Sequence, residues 1–175
     1  MVKYRKLLKP RGSDLPEIGS ITANPSTGNP KPRAFRLEPD QSLINRMGLN
    51  NDGAQTIIRR LEKKQLGIPL GINIAKTHDP DIVGDKAIRD YQFSFREAHK
   101  VADYIAINIS CPNTTEGKTF EIPEALDELL SGLDIKDDAS VVPTLVKFSV
   151  DSGPFPARTA DHHLRGSSRE RVCGC

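Results

Sequence analysis

The feature that most constrains this chain is a heptapeptide with two unlike faces, Tyr104–Ser110 (YIAINIS). Successive strand side chains alternate sides, so Ile105, Ile107 and Ile109 make one apolar face. Tyr104, Ala106, Asn108 and Ser110 make the other. The branched face calls for covering helices, and the opposite face must meet something polar. Leu70–Ala75 (LGINIA) repeats the pattern, with Ile72 and Ile74 opposing Gly71, Asn73 and Ala75. In Thr144–Val150 (TLVKFSV), Val146, Phe148 and Val150 oppose Leu145, Lys147 and Ser149. Glu17–Thr22 (EIGSIT) reads as a further strand.

Helical periods separate these strands. Asp52–Gln65 aligns Ala54, Ile57, Ile58 and Leu61, with Asn51 or Asp52 expected as its cap. Asp85–Val101 aligns Ile88, Tyr91, Phe95, Ala98 and Val101. Pro123–Leu133 begins with proline in its first turn and carries Leu126, Leu129, Leu130 and Leu133. Strands alternating with amphipathic helices predict an α/β fold, with a parallel sheet and right-handed crossovers. Residues 17–151 hold this pattern. Residues 1–16 are basic and aperiodic, and residues 152–175 are polar and Arg-rich, with the composition of a disordered tail. Ala23–Asn50 reads as a long Pro-rich connection, a length that points to a functional or disordered loop.

Asn73, Asn108 and Lys147 sit on equivalent faces of three strands. An unpartnered buried amide or ammonium costs kilocalories. Three together imply a shared polar occupant, against the alternative of an interior satisfied by its own hydrogen bonds or by water. Cys111 falls just past a strand end. A free thiol ionises near pH 8.5, close enough to neutrality for a general base, although a lone cysteine is ordinarily a small buried hydrophobe. Asn108 and Asn113 offer paired donors and acceptors suited to a flat heterocycle. Lys147 supplies a fixed positive charge of the kind that stabilises an anionic reduced flavin ring. Asn45, Arg46, Met47, Gly48 and Leu49 form a loop with amides, a guanidinium and a glycine for close backbone approach.

Other chemistries find little support. There is no Walker loop and no GxGxxG, and no window has the apolar length of a membrane span. His162, His163, Cys173 and Cys175 match no common zinc spacing. His78 and His99 lie in polar settings and read as surface residues. Arg158, Arg165, Arg169 and Arg171 make a loose basic tail, and no basic stripe suggests nucleic acid. The net charge of +2 favours no partner.

The stretches EIGSIT, GNPKPRAFRL, INRMGLNNDGA, LGINIAK, DYIAINISCPNT and LVKFSVD, read together, resemble dihydroorotate dehydrogenases of the quinone-reducing class over residues 17–151. The resemblance implies a partial TIM (β/α)8 barrel with about four parallel strands. It implies FMN held by Ser20, Asn73, Asn108 and Lys147, and a substrate site at Asn45, Arg46, Met47, Gly48, Leu49, Asn108 and Asn113. Cys111 takes the position of the catalytic base. The implied reaction oxidises (S)-dihydroorotate to orotate in pyrimidine synthesis, with a quinone as acceptor and peripheral association with a membrane.

One departure is chemical: the quinone-reducing class usually carries serine at the base position, whereas Cys111 is the habit of the other class. A second is length. A complete barrel takes roughly 250 residues, and this chain has 175. A half barrel exposes two sheet edges and an apolar interior, so the polypeptide alone is expected to be inactive and aggregation-prone. No counterpart of the family's N-terminal membrane element is seen, which makes a cytoplasmic location the expectation for it. The alternatives are a non-catalytic truncated product or another FMN-dependent barrel, such as a tRNA-dihydrouridine synthase, which the NRMG and SCPN motifs disfavour.

Overall fold

The isoleucine faces set the layering. In the computed structural model of the protein, residues 15–63, 67–110, 119–133, 135 and 142–149 are described. Four strands pair in parallel: β1 (Glu17–Ile21), β4 (Gly71–Ala75), β5 (Tyr104–Asn108) and β6 (Thr144–Lys147), in the spatial order β1-β4-β5-β6. Ile72, Ile74, Ile105 and Ile107 are fully buried, at 0% exposure. Burying each such side chain contributes about 1.5–3 kcal/mol.

Helices α1 (Ala54–Glu62), α2 (Asp85–Ala98) and α3 (Pro123–Gly132) cover that face. The expected stripes are the buried ones: Ala54, Ile57, Ile58 and Leu61 on α1, Tyr91, Phe95 and Ala98 on α2, and Leu126 and Leu129 on α3. Ile88, Val101 and Leu130 pack more loosely at the margin. His78 and His99 are exposed, as read from the sequence. The α/β alternation and the one-sided cover are those of a partial (β/α) barrel.

Three expectations need correction. The first concerns the cap of α1, which is Gly53 rather than Asn51 or Asp52. Asn51 instead accepts from the Gly53 N–H at 2.9 Å, and Asp52 pairs with Arg60. Gly53 takes φ +80° against Pro25, a conformation that favours glycine. The second concerns Ala23–Asn50, expected as a long connection without strands of its own, part of which is regular. That part folds back as an antiparallel hairpin of β2 (Ala34–Leu37) and β3 (Ser42–Asn45), with Phe35 paired to Ile44. The third concerns length: β1 ends one residue, β5 two and β6 three residues before the expected limits, β4 starts one residue late and ends at Ala75 as expected, and Val150 lies outside the described residues.

A buried carboxylate ties α2 to the loops at the C-terminal ends of the strands. Asp90 accepts from the Thr77 N–H at 2.9 Å and the Thr77 hydroxyl at 2.6 Å. Thr77 Oγ1 in turn accepts from Asn24 N–H at 3.2 Å. Burial pushes the Asp90 carboxyl above its ordinary value of 3.8, against the opposing pull of the Thr77 hydrogen bonds and of Lys76. The folded chain therefore holds this proton more tightly than the unfolded chain. The stability contributed by its protonation is full below pH 3.8 and is lost as pH rises through the raised folded-state pKa. In Asp90→Asn that component of the pH dependence should vanish. Urea denaturation at several pH values should show a smaller fall in stability above pH 4 for the variant, and parallel curves would contradict the assignment.

Candidate functional site

The face of the sheet turned away from the helices carries a continuous polar network. Asn73 lies at the centre of β4, Asn108 ends β5 and Lys147 ends β6, with Asn108 and Lys147 directly paired in register. Ser20 Oγ donates to Asn73 Oδ1 at 2.6 Å. Asn108 Nδ2 donates to Ser20 Oγ at 3.1 Å. Lys147 Nζ donates to Asn108 Oδ1 at 3.3 Å and to Ser110 Oγ at 2.7 Å. Ser110 donates to Asn108 Oδ1 through its N–H at 3.2 Å and its hydroxyl at 2.8 Å. Both asparagines are buried, and Lys147 is half-buried. The structure thus joins Ser20, Asn73, Asn108 and Lys147 in one cluster. Ala75 and Ala106 pair with Asn108 and Asn73, so the floor between the polar groups is made of small side chains.

The sequence reading missed the other end of this network. Asn73 Nδ2 donates to Glu17 Oε1 at 3.0 Å, and the Tyr104 hydroxyl donates to Glu17 Oε2 at 3.2 Å. Burial first, and the Glu17 carboxylate second, raise the Tyr104 pKa above its ordinary 10.0. Strict alternation would put Glu17 and Ser20 on opposite faces. A register irregularity between Ile18 and Ile21 lets both reach the same side. Gly19 sits at that irregularity with φ +148°, pressed so closely on Asn73 that a Cβ would meet its carbonyl oxygen and Cβ. Only the glycine and the off-period acid hinted at this in the sequence.

The predicted substrate loop is held by a second set of bonds. Arg46 N–H donates to Arg33 O at 2.9 Å, and its guanidinium donates to Pro32 O at 3.3 and 3.1 Å. Asn29 donates to Met47 O through its N–H at 3.1 Å and to Arg46 O through its side chain at 2.9 Å. Asn45 Oδ1 accepts from Met47 N–H at 3.4 Å. Gly48 is buried at φ +72°, with Asn29 where a Cβ would stand, and Leu49 also takes a positive φ of 53°. Asn51 Nδ2 donates to Leu49 O at 2.7 Å and Thr22 Oγ1 at 2.8 Å. The loop is therefore anchored to the residue just past β1, two positions from Ser20. Asn45, Arg46 and Met47 are exposed. Their bonds run to residues 29–33 and within the loop rather than to Asn73, Asn108 or Lys147. Cys111 and Asn113 lie outside the described residues.

An open cleft of about 530 Å³ lies elsewhere, between the starts of α1 and α2, lined by residues such as Thr56, Lys86, Arg89 and Phe93. None of the network residues lines it. No group of three or more metal-ligating side chains occurs among the described residues.

The family model of dihydroorotate dehydrogenase matches residues 3–156. The chain belongs to the dihydroorotate dehydrogenase family. Among similar proteins, the dihydroorotate dehydrogenase (quinone) of Haloarcula marismortui is 40% identical over 146 residues, covering 83% of this chain and 40% of the relative. That of Gloeobacter violaceus is 39% identical over 142 residues, covering 81% of this chain and 39% of the relative. Two solved dihydroorotate dehydrogenase structures from Eimeria tenella superpose on it. The ferulenol complex does so with a TM-score of 0.66 and 29% identity, covering 77% of this chain and 43% of that one. The ligand-free form has a TM-score of 0.67 and 27% identity, covering 84% and 48%. The chain thus spans about two fifths of the length of these curated dihydroorotate dehydrogenases.

The close approach of Gly19 to Asn73 makes Gly19→Ala a probe of the network. The new methyl must displace β4 or β1, at a cost of about 1–3 kcal/mol. An unfolding free energy lowered by that amount, read from urea denaturation as a lower midpoint at unchanged slope, is the expected result.

Proposed function

We propose that this chain carries the flavin-ring face and substrate loop of a site that oxidises (S)-dihydroorotate to orotate with FMN and a quinone. The observation that carries the reading is the hydrogen-bonded cluster of Ser20, Asn73, Asn108 and Lys147 on the face away from the helices. Its donor set fits FMN. A flavin ring edge presents several acceptors and a single N–H. The cluster offers an ammonium, the second N–H of each side-chain amide and a hydroxyl oxygen able to accept from the ring N–H, above a floor of small side chains. The bonds of Lys147 to Asn108 and Ser110 use two of the three donors an ammonium carries.

Ser20, Asn73, Asn108 and Lys147 would hold the ring, with the Lys147 charge placed to favour its anionic reduced form. FMN, when bound, supplies the acceptor for the hydride that leaves C6 of dihydroorotate. Asn108, Asn113 and the loop Asn45, Arg46, Met47, Gly48 and Leu49 would orient the substrate. Cys111, as thiolate, would take the C5 proton, completing the loss of one proton and one hydride that yields orotate. A quinone as second acceptor brings the reaction to a membrane surface. No helix among the described residues is long and apolar enough to cross one, so the association proposed is peripheral.

The test is a fluorescence titration of the chain with FMN and with riboflavin, which shares the ring and lacks the phosphate. Binding of both is expected. Lys147→Met and Asn108→Ala should each weaken binding tenfold or more, since a hydrogen bond to a charged group is worth about 1.5–3 kcal/mol. No flavin binding, or binding unchanged in both variants, would contradict the assignment. Flavin binding without bleaching by dihydroorotate would identify a non-catalytic product.

A further inference from the structure

Glu17 opens the EIGSIT stretch and was assigned no role in the sequence; it is exposed, yet it accepts two hydrogen bonds, one from Asn73 on β4 and one from Tyr104 on β5. We propose that Glu17 is a positioning residue: its carboxylate fixes the side-chain amide of Asn73 and, through Ser20, that of Asn108, so that the Asn108 carbonyl oxygen is presented to Lys147. The proposal rests on the flavin reading for its purpose, but not for its geometry.

The chemistry of the two ends dictates the direction of the chain of bonds between them. A carboxylate only accepts, so the amide group that Asn73 turns to Glu17 must be its NH2. That leaves the Asn73 carbonyl oxygen facing Ser20. The single hydroxyl proton of Ser20 is committed to it at 2.6 Å. The Ser20 oxygen can then only accept, and it does so from Asn108 Nδ2 at 3.1 Å. The Asn108 carbonyl oxygen is thereby turned to Lys147, which only donates, and to the Ser110 N–H and hydroxyl, which donate to it from the same side. Reversing either amide would set an NH2 against the ammonium or a carbonyl against the carboxylate.

The result is a head-to-tail series of dipoles, negative at Glu17 on β1 and positive at Lys147 on β6. Hydrogen bonds aligned in this way polarise one another. Tyr104 fastens the second carboxylate oxygen, which keeps Glu17 from turning away from the face. The raised Tyr104 pKa is consistent with a charged acceptor beside its hydroxyl. The irregularity in β1 acquires a purpose on this view, since it places the anchoring acid and the relaying hydroxyl on one side.

The experiment uses the full chain labelled with 15N and follows the side-chain amides of Asn73 and Asn108. Glu17→Gln keeps the shape but adds a donor and removes the charge. Both amides should shift or double in this variant, and Tyr104 should ionise at lower pH by its ultraviolet absorbance. In a Ser20→Ala background the same change should still move Asn73 but no longer reach Asn108. Glu17→Asp, which keeps an acceptor, should hold the Asn108 signal close to its original position. Movement of Asn73 alone in Glu17→Gln, with Ser20 intact, would overturn the proposal. Flavin affinity should fall about tenfold in Glu17→Gln, within the range of coupling through a shared network. If Lys147→Met and Asn108→Ala both leave flavin binding unchanged while Glu17→Gln still moves both amides, the flavin reading fails and the positioning role stands.

Discussion

The parallel register of β1, β4, β5 and β6 is the constraint on which the rest depends. It is held by isoleucines from the central strands packed under three helices. A slip of one residue would turn Asn108 under the helices and Ile107 towards the network. Burial of the isoleucines resists that slip. The same packing that stabilises the sheet therefore aims Asn73, Asn108 and Lys147 at one another from three strands. β1 closes the arrangement from the edge by supplying Ser20 and Glu17, and just beyond it Thr22 anchors the loop that carries Arg46 and Gly48.

What was legible in the sequence follows from periodicity. YIAINIS and LGINIA announce their two faces because every second residue is isoleucine, and the helices announce theirs by the spacing of leucine, isoleucine and aromatic residues. What was illegible lies where period two fails or burial is slight. Glu17 and Ser20 share a face only through the irregularity at Gly19, which no alternation rule foresees. The hairpin of β2 and β3 escaped notice because its strands are four residues long and its Phe35, Leu43 and Ile44 are exposed. Gly53 replaced the expected cap because Asn51 is engaged with Thr22 and Leu49.

Membership of the dihydroorotate dehydrogenase family and the geometry of the polar face point the same way. The matches extend over some four fifths of this chain but about two fifths of the relatives. Within that span the chain holds the polar cluster of Ser20, Asn73, Asn108 and Lys147 and the loop of residues 45–49, to which the proposed function assigns the flavin ring and the substrate. The proposed base, Cys111, would set the chain apart from members that carry serine there, since a thiol ionises far more readily than a hydroxyl.

The most direct test of the central claim, that the polar face of the sheet is a ring-binding surface, is a crystal structure of the chain grown with FMN. The account predicts the ring lying against Ala75 and Ala106, with Lys147 Nζ, Asn108 and Ser20 within hydrogen-bonding distance of its edge. A ring bound among the helices, or in the cleft between α1 and α2, would contradict it.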